Sequence, residues 1–588
     1  MFRTKNCGEL SVKNVDEEVT LCGWVDSHRD HGGIIFIDLR DRYGKTQIVF
    51  DPKVHKDSHE IAEKLRSEWV IQIFGKVKAR GEGLKNPNLK TGEIEVFVNK
   101  INVLNESKTP PFELDKDIRN EDLRLKYRYL DLRREKMQKN IILRHKMCQV
   151  IRKYFDKQDF VEIETPILVK GTPEGSREYL VPSRLHPSQF YVLPQSPQQL
   201  KQLLMVSGFD KYFQIARCFR DEDQRGDRQP EFTQFEIEMS FVEQKDVIDA
   251  VEFCFHELTK ECAPQKNWKK FLENERFIKF TWQEAMEKYG SDKPDIRFDL
   301  SFENISDLAS DSGFKIFENS KFLFALKVSK NLGQFSRKDI DDLTETARIH
   351  GAGGLAWLRV GEDSGPVAKN TSKKFLDSLL NKTDAKDGDI IFFGANNDFI
   401  DAVEPLGAVR LAIGDKFELR NIDDFAFCWV VDFPMYEKKE DGTMQAAHHP
   451  FTRPHEEDLN FLTSDPLKVR SHAYDVVLNG VELGGGSIRI HDPKLQRKIF
   501  DVFDMTEDEV QLKFGHLMKA FQYGCPPHGG CAMGLDRVVM MWADEPNIRE
   551  VIAFPKNQSA QDLMLGAPSV MPEKEILEQN IKIIEEEK

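Results

Sequence analysis

Two short segments of this chain carry arginines in a pattern suited to binding a nucleotide. Residues 218–234 contain Arg220 and Phe232, and residues 532–537 end in Arg537. A planar guanidinium can bridge a phosphoryl oxygen and an attacking carboxylate, while an aromatic ring and a second guanidinium can hold adenine between them. Each segment is too short to be specific alone. Together, in this order, they predict an ATP site on an antiparallel sheet.

A pair of carboxylates close to three glycines is a candidate metal site. Asp475 and Glu482 precede residues 484–486, which are all glycine. Carboxylate oxygens are hard ligands of the kind that magnesium uses when it bridges phosphates. Paired acids on a strand usually face solvent, but glycines remove side chains where a ligand could lie, which favours the metal. We therefore expect Mg²⁺ to bind with ATP, and we expect no tightly bound organic cofactor.

The elements that would position these residues begin with a small barrel. Strand-like composition predicts five strands, at residues 19–25, 34–41, 46–50, 69–78 and 94–101. A helix near residues 59–65 lies between the third and fourth strands. This pattern is typical of an OB-fold, a common reader of single-stranded nucleic acid, and an unspecialised β-barrel is the alternative.

A helix and a strand follow Pro110 and Pro111, which end the barrel domain. The helix is predicted over residues 139–155, because apolar residues recur there at helical spacing. These residues are Ile142, Met147, Val150, Ile151, Tyr154 and Phe155. The strand is predicted over residues 160–166 and ends at Pro166. An ordinary helix–strand unit is the alternative to a functional motif.

With these elements the chain resembles the class II aminoacyl-tRNA synthetases, and in detail the bacterial-type aspartyl enzymes. The resemblance implies a multidomain α+β protein with an N-terminal OB-fold β-barrel, a class II catalytic domain on an antiparallel sheet, and an inserted α/β domain. The helix and strand before Pro166 resemble the first class II motif, which implies a homodimer. The implied domains are 1–108 (OB-fold, anticodon binding), 109–138 (linker), 139–284 (catalytic, motifs 1 and 2), 285–425 (insertion) and 426–588 (catalytic, motif 3, with a C-terminal helix over 574–588).

The resemblance implies a two-step reaction. The α-carboxylate of L-aspartate attacks the α-phosphate of ATP and expels pyrophosphate, and the terminal ribose hydroxyl of tRNA then attacks the aspartyl-adenylate. Positioning and charge neutralisation would carry most of the rate, with Arg220 as the catalytic residue at the α-phosphate. Phe232 and Arg537 would lie on the two faces of adenine. The expected ATP site comprises Arg220, Asp221, Glu222, Gln229, Phe232, Glu482, Gly534, Leu535, Asp536 and Arg537.

The amino-acid pocket would decide which synthetase this is. A side-chain carboxylate demands cations, and an amide of the same shape must be rejected by charge. Lys201 and Arg489 resemble the two cations that read aspartate in the family. The remaining residues of the expected aspartate site are Glu174, Gln198, Arg220 and His448. The sequence does not separate His448 from His449, and a lone histidine is more often structural.

Five residues of the first domain are expected to read tRNA. Phe36 would stack on an anticodon base, with Arg29 and Gln47 hydrogen-bonded to bases. The strict form of the enzyme typically carries a leucine and a lysine at two sites where this chain has His31 and Gly83. Those residues resemble the relaxed form, which charges both tRNA(Asp) and tRNA(Asn). Ordinary turn residues are the alternative.

Other functions remain alternatives. A strict enzyme would charge tRNA(Asp) only. A lysyl enzyme should present acids where Lys201 and Arg489 stand, and the same two cations together with the insertion disfavour an asparaginyl enzyme. A non-catalytic tRNA-binding paralogue should have lost site residues, whereas Arg220, Phe232 and Glu482 are present.

Charge and hydropathy limit the partners. The 588 residues include 84 Lys and Arg against 99 Asp and Glu, a net charge of −15 that disfavours a general nucleic-acid binder. A tRNA partner remains compatible, because nine Lys or Arg stand against two Asp or Glu over residues 124–146. That stretch is either a hinge that contacts a nucleic-acid backbone or a solvated helix face. The chain has no apolar run of membrane-spanning length and no signal-peptide core, so we expect a cytoplasmic protein without a membrane partner.

Overall fold

The computed structural model describes residues 2–171, 175–362, 364–439 and 441–584. Two compact units divide the chain. The first is Met1–Lys139 with Asp562–Ala567, and the second is Asn140–Gln561 with Pro568–Lys588. The finer division predicted from the sequence stays a prediction. None of the helices in the described ranges combines the length and apolar character that a membrane span requires.

The first unit is built on a closed five-stranded barrel with the predicted helix between its third and fourth strands. The elements are β1 (Glu18–His31), β2 (Ile34–Asp41), β3 (Gly44–Phe50), α1 (Lys56–Ala62), β4 (Val70–Ala79) and β5 (Ile94–Asn105). The order is β1-β2-β3-β5-β4, and only β3 and β5 are parallel. β1 extends beyond its predicted end at residue 25, because it pairs with β2 as far as His31 opposite Ile34.

The basic segment after the barrel folds around one buried carboxylate. Arg124, Arg128 and Arg134 donate hydrogen bonds to Asp131 at 2.5–3.1 Å, and Asp131 is 0% exposed. Burial alone would raise the pKa of Asp131, but these arginines hold it below its usual value. The helices here are α2 (Glu121–Lys126), α3 (Arg128–Asp131) and α4 (Glu135–Lys157), the last of which continues into the second unit. Part of the basic run is therefore an ion-paired interior, which neither sequence interpretation anticipated.

The second unit contains the remaining helices and strands. Up to the predicted insertion these are β6 (Val161–Glu162), β7 (Leu180–Pro182), β8 (Phe190–Val192), α5 (Gln198–Val206), β9 (Lys211–Phe219), β10 (Glu231–Ser240), α6 (Gln244–Cys262), β11 (Leu272–Glu273), β12 (Arg276–Thr281) and α7 (Trp282–Tyr289). Within it are β13 (Phe302–Asn304), α8 (Lys315–Glu318), β14 (Phe322–Val328), α9 (Arg337–Ile349), β15 (Ala356–Arg359), α10 (Pro366–Asn370), α11 (Lys373–Thr383), β16 (Ile390–Asn396) and α12 (Phe399–Lys416).

After the predicted insertion the chain returns to the same unit. The elements are β17 (Phe427–Val431), β18 (Tyr436–Lys438), β19 (Met444–Ala446), β20 (Ala473–Leu478), β21 (Val481–Ile488), α13 (Pro493–Val502), α14 (Glu507–Phe521), β22 (His528–Gly534), α15 (Leu535–Trp542) and α16 (Glu573–Glu578). Short 3₁₀ helices lie at Val12–Asn14, Lys269–Phe271, Ser306–Asp311, Glu456–Phe461, Pro466–Lys468 and Ile548–Glu550.

A nine-stranded sheet organises this unit, in the order β11-β12-β17-β20-β21-β22-β10-β9-β6. Its central neighbours are antiparallel, and only the pairs β12–β17 and β6–β9 are parallel. β10 pairs with β9 on one side and with β22 on the other, so that Gln234 lies opposite Gly534. This pairing brings the two arginine segments side by side.

The inserted segment has its own four-stranded antiparallel sheet, β13-β14-β16-β15. Alternate residues of β14 face opposite sides. Phe324 and Leu326 belong to the core cluster that contains residues of α9 and α12. Leu323 and Ala325 belong to a second cluster, which contains residues of α10 and α11. Helices therefore cover both faces of this sheet.

Three elements differ from their predictions in burial or in extent. Ile142 was expected on the apolar stripe of α4 but is 45% exposed, whereas Met147, Ile151 and Phe155 are fully buried. The strand predicted over residues 160–166 is only two residues long, because the chain leaves β9 before Pro166, which has no N–H to donate. The C-terminal helix was predicted over residues 574–588 but ends at Glu578, and none of its residues is buried. It therefore lacks the burial that would stabilise a longer helix along the tail up to residue 584.

We expect Asp131→Asn to destabilise the protein by about 3–5 kcal/mol, because it removes the shared partner of buried charges. Urea unfolding followed by circular dichroism would measure the loss. Asp117→Asn is the matched control: Asp117 also lies near Arg134, at 3.6 Å, but its side chain is 96% exposed. For Asp117→Asn we expect the free energy of unfolding to fall by less than about 1 kcal/mol. Equal losses in the two variants would contradict the role of Asp131.

Candidate active site

Most of the predicted site residues line one cavity of about 670 Å³ in the second unit. They are Gln198, Lys201, Arg220, Glu222, Gln229, Phe232, His448, Asp475, Glu482, Arg489, Gly534, Asp536 and Arg537. Leu535 is fully buried in the core, and Asp221 pairs through its backbone with Arg177, so neither side chain lines the cavity. Glu174 lies outside the described residues.

The two key arginines line the cavity, and each has one buried donor that lacks a partner among the described residues. Arg220 follows β9, and its guanidinium carbon lies 5.2 Å from the ring centroid of Phe232. Arg537 of α15 donates to the Glu482 carbonyl oxygen at 2.6 Å and to Asp227 at 2.9 Å. The Nε of each arginine is buried without a hydrogen-bond partner in the described part of the chain. Without a nucleotide, Arg220 and not Arg537 is the cation over Phe232.

Several motif residues hold the walls of the cavity. Asp536 accepts from Arg144 of α4 at 2.5 Å and from the Thr233 N–H of β10 at 2.7 Å. Gln229 both donates to and accepts from the backbone of Lys556, at 3.0 and 2.8 Å. These polar groups join elements distant in sequence, so their side chains are committed before any ligand arrives.

One end of the cavity holds two buried cations with two buried acids. Lys201 of α5 lies 3.0 Å from Glu236 and 3.4 Å from Glu238, both on β10. Arg489 donates to Glu238 at 3.0 and 3.2 Å and to Ser487 at 2.6 Å. These four charged side chains are between 0% and 4% exposed. The predicted cations are therefore brought together, with partners that we did not predict.

The pKa values of the two acids are shifted in opposite directions. Burial raises the pKa of Glu236 more than Lys201 lowers it. Burial would also raise the pKa of Glu238, but Arg489 and Lys201 together hold it below its usual value. Glu238 is therefore the acid whose ionised form the two cations stabilise. Two buried cations at one end of the cavity suit a ligand carboxylate.

The two adjacent histidines have different neighbours. His449 accepts from the Phe451 N–H at Nδ1, which leaves its proton on Nε2, and this buried nitrogen has no partner in the described ranges. Burial, with Arg489 and Lys201 nearby, lowers its pKa to about 3. His448 packs its ring edge-on against Phe433, with centroids 4.4 Å apart. Both line the cavity, and His449 is the one influenced by the buried cations.

The candidate metal ligands lie on neighbouring strands. Asp475 of β20 is 7% exposed, and burial, then Glu482 and Asp292, raise its pKa well above the usual range. A Cβ on Gly485 would clash with Asp475 Oδ1, so this glycine makes room for the carboxylate. The described residues contain no cluster of three or more His, Cys, Asp or Glu arranged to hold a metal alone. Two carboxylates under mutual repulsion fit a magnesium ion that keeps phosphate and water ligands.

Sequence reasoning missed Glu236 and Glu238, which pair with the buried cations, and the cavity-lining charged residues Arg225, Asp227, Arg228 and Lys293. Glu236 and Glu238 alternate with buried Phe235 and Ile237 on β10, so two acids on one face of an apolar strand were an available signal. Lys293 also lines the cavity, although it lies in the segment assigned to the insertion. No local pattern marks that lysine.

The residues expected to read tRNA lie in the first unit. Arg29 hydrogen-bonds to Asp38 at 3.1 Å and to Gln47 at 3.3 Å, and its cross-strand partner is Phe36. His31, at the end of β1, packs edge-on against Phe36, with centroids 6.1 Å apart. Gly83 has φ +82° with open space around it. Four of these residues thus lie on paired strands of one barrel, and Gly83 lies in the loop after β4.

Two family models match the chain. The model described as tRNA synthetases class II (D, K and N) matches residues 120–558. The model described as an OB-fold nucleic acid binding domain matches residues 19–104. Their ranges correspond to the catalytic sheet and to the barrel.

Curated relatives match over nearly the whole length. The "Aspartate--tRNA(Asp/Asn) ligase" of Rubrobacter xylanophilus is 50% identical, covering 99% of this chain and 97% of the relative. The "Aspartate--tRNA ligase" of Staphylococcus saprophyticus is 48% identical, covering 99% of both.

Solved structures share the fold at low sequence identity. Asparaginyl-tRNA synthetase from Pyrococcus horikoshii, complexed with asparaginyl-adenylate, matches with a TM-score of 0.59 and 18% identity, covering 94% of this chain and 98% of that one. Aspartyl tRNA synthetase from Entamoeba histolytica matches with a TM-score of 0.58 and 19% identity, covering 93% and 90%. These likenesses confirm the predicted fold class. The chain belongs to the class II tRNA synthetases of the D, K and N group and carries their catalytic domain behind an OB-fold.

Proposed function

We propose that this chain attaches L-aspartate to tRNA through an aspartyl-adenylate. One observation carries the proposal: a single cavity combines Arg220, whose buried Nε has no partner among the described residues, with a pocket that holds the buried cations Lys201 and Arg489. The first suits a phosphate and the second suits a carboxylate. The names of the full-length relatives support the same reaction.

The first step would depend on positioning and charge. Arg220 would bridge the α-phosphate and the attacking α-carboxylate, while Lys201 and Arg489 hold the side-chain carboxylate. The Nε2–H of His449 is a further donor at that end. Magnesium bound by Asp475 and Glu482 would neutralise phosphate charge. Phe232 and Arg537 remain the candidates for contact with adenine.

Two residues of the first unit, His31 and Gly83, bear on the choice of tRNA. His31 packs against Phe36 and can donate or accept a hydrogen bond, which would tolerate either pyrimidine at the third anticodon base. Gly83 leaves open space where a long side chain would restrict the loop. We therefore propose that both tRNA(Asp) and tRNA(Asn) are charged.

A strict enzyme is the second candidate. A relative named only for aspartate is nearly as similar to this chain as the relative named for both tRNAs. The homodimer and the cytoplasmic location that we expect from the sequence stay predictions.

We expect Arg220→Ala to lower aspartate-dependent ATP–pyrophosphate exchange at least about 100-fold, because one lost transition-state donor costs about 3 kcal/mol. Arg217→Ala is the matched control: Arg217 lies on β9, three residues before Arg220, pairs with Glu231 and does not line the cavity. It should keep exchange within about threefold of wild type. Near-wild-type exchange in Arg220→Ala would refute its assignment.

The double variant Lys201→Met with Glu236→Gln tests the carboxylate pocket. It removes one buried cation together with one buried acid, so that no acid is left without a partner. We expect kcat/KM for aspartate in the exchange assay to fall about 30-fold or more, because truncating a buried charge partner costs about 2–5 kcal/mol. The ratio of kcat/KM for aspartate to kcat/KM for asparagine should become smaller as well. Glu236→Gln alone is the control and should retain most activity, since glutamine keeps the shape of the side chain and burial raises the pKa of Glu236. An unchanged preference for aspartate in the double variant would show that another residue reads the side chain.

Purified tRNA(Asp) and tRNA(Asn) test the choice of tRNA. We expect the wild type to aspartylate both, and His31→Leu with Gly83→Lys to lose tRNA(Asn) preferentially, because the two changes restrict contact with the anticodon loop. Gly81→Lys adds the same charge in the same loop, with Leu84 as its nearest neighbour at 3.6 Å. This control should affect both tRNAs equally. Charging of tRNA(Asp) alone by the wild type would establish the strict enzyme instead.

A further inference from the structure

The segment that follows α7 carries a lysine into the cavity. Lys293 Nζ lies 3.5 Å from Glu482 Oε2 and 3.8 Å from Asp292 Oδ1. It lines the same cavity as Arg220 and Arg537. The sequence motifs do not include it, because it lies at the start of the inserted segment.

This segment is anchored on two sides, so the backbone that carries Lys293 is fixed. Arg410 of α12 is 1% exposed and donates to the carbonyl oxygens of Asp295 at 2.9 Å and Phe298 at 3.1 Å. On the other side, the turn between β20 and β21 packs against Asp295: a Cβ on Gly480 would lie 3.2 Å from the Asp295 Cβ. The inserted domain therefore helps to position a side chain in the catalytic pocket.

Lys293 differs from the two cations of the carboxylate pocket. Lys201 and Arg489 are buried among Glu236 and Glu238, whereas the Lys293 side chain is 46% exposed. A flexible four-carbon stem with an exposed ammonium can change partners without moving the backbone. Its partner Glu482 is a candidate magnesium ligand, so Lys293 is placed at the end of the cavity where phosphates would lie.

We propose that Lys293 binds the β- and γ-phosphates of ATP and stabilises the departing pyrophosphate; this inference rests on the proposed function. As an aspartate oxygen bonds to the α-phosphorus, the bond to the α–β bridging oxygen breaks and its electron pair stays with pyrophosphate. Negative charge therefore grows where Lys293 can reach it. Before the nucleotide binds, Lys293 pairs with Glu482, and the phosphates take over that ammonium.

Equilibrium binding of three probes tests the inference: Mg·ATP, inorganic pyrophosphate and AMP. We expect Lys293→Ala to weaken binding of Mg·ATP and pyrophosphate about tenfold or more, because a charge contact to phosphate is lost. AMP lacks the β- and γ-phosphates, so its affinity should stay within about twofold of wild type. Lys293→Arg should restore most of the Mg·ATP affinity.

Lys288→Ala is the matched control. It removes the same charge five residues earlier, from an exposed lysine that lies 5.7 Å from the Phe280 ring centroid and does not line the cavity. All three affinities should remain at wild-type values. Unchanged Mg·ATP and pyrophosphate affinity in Lys293→Ala would overturn the inference, as would an equal loss for AMP, which would indicate a structural role. Failure of the proposed function has a separate sign: wild-type protein without aspartate-dependent pyrophosphate exchange.

Discussion

Lys201 and Arg489 are buried beside β10 of the central sheet, and two charges in that position constrain the residues around them. Two isolated buried cations would cost several kcal/mol each, so acids must accompany them. Glu236 and Glu238 accompany them: burial raises the pKa of Glu236, whereas Arg489 and Lys201 hold the pKa of Glu238 below its usual value. The backbone adapts to this cluster as well, because a Cβ on Gly530 of β22 would clash with Glu238 Oε2.

At the end of the cavity where phosphates would lie, the charged groups in question are acids instead of cations. Asp475 and Glu482 repel one another, and burial makes the ionised form of Asp475 costly, so this end attracts a cation. Lys293 supplies one, 3.5 Å from Glu482. One cavity thus holds buried cations that suit a carboxylate and a pair of acids that suit a metal ion. This arrangement can orient two substrates before any bond forms.

Polar residues of the motifs connect the helices and strands around the cavity as much as they bind the ligand. Asp536 ties α4 and β10 to α15, and Gln229 ties the loop between β9 and β10 to Lys556. Their hydrogen bonds are internal and largely buried, so their loss would move the arginines that face the cavity. Resemblance alone assigns such residues to the ATP site, whereas their partners identify them as supports for it.

The sequence by itself determined the five-stranded barrel, the family and most of the residues that line the cavity, because alternating strands and short motifs are local patterns. It did not determine Glu236, Glu238 or Lys293, since their importance comes from neighbours distant in the chain. Strand register decides that Glu238 lies opposite Gly530, and burial and neighbouring cations then shift the pKa values of the two acids in opposite directions. Likewise, the sequence of the basic run after the barrel predicts a charged surface. The fold instead places Asp131 at the centre of three of its arginines. Pairing, burial and protonation are properties of the folded chain, so only the tertiary structure decided them.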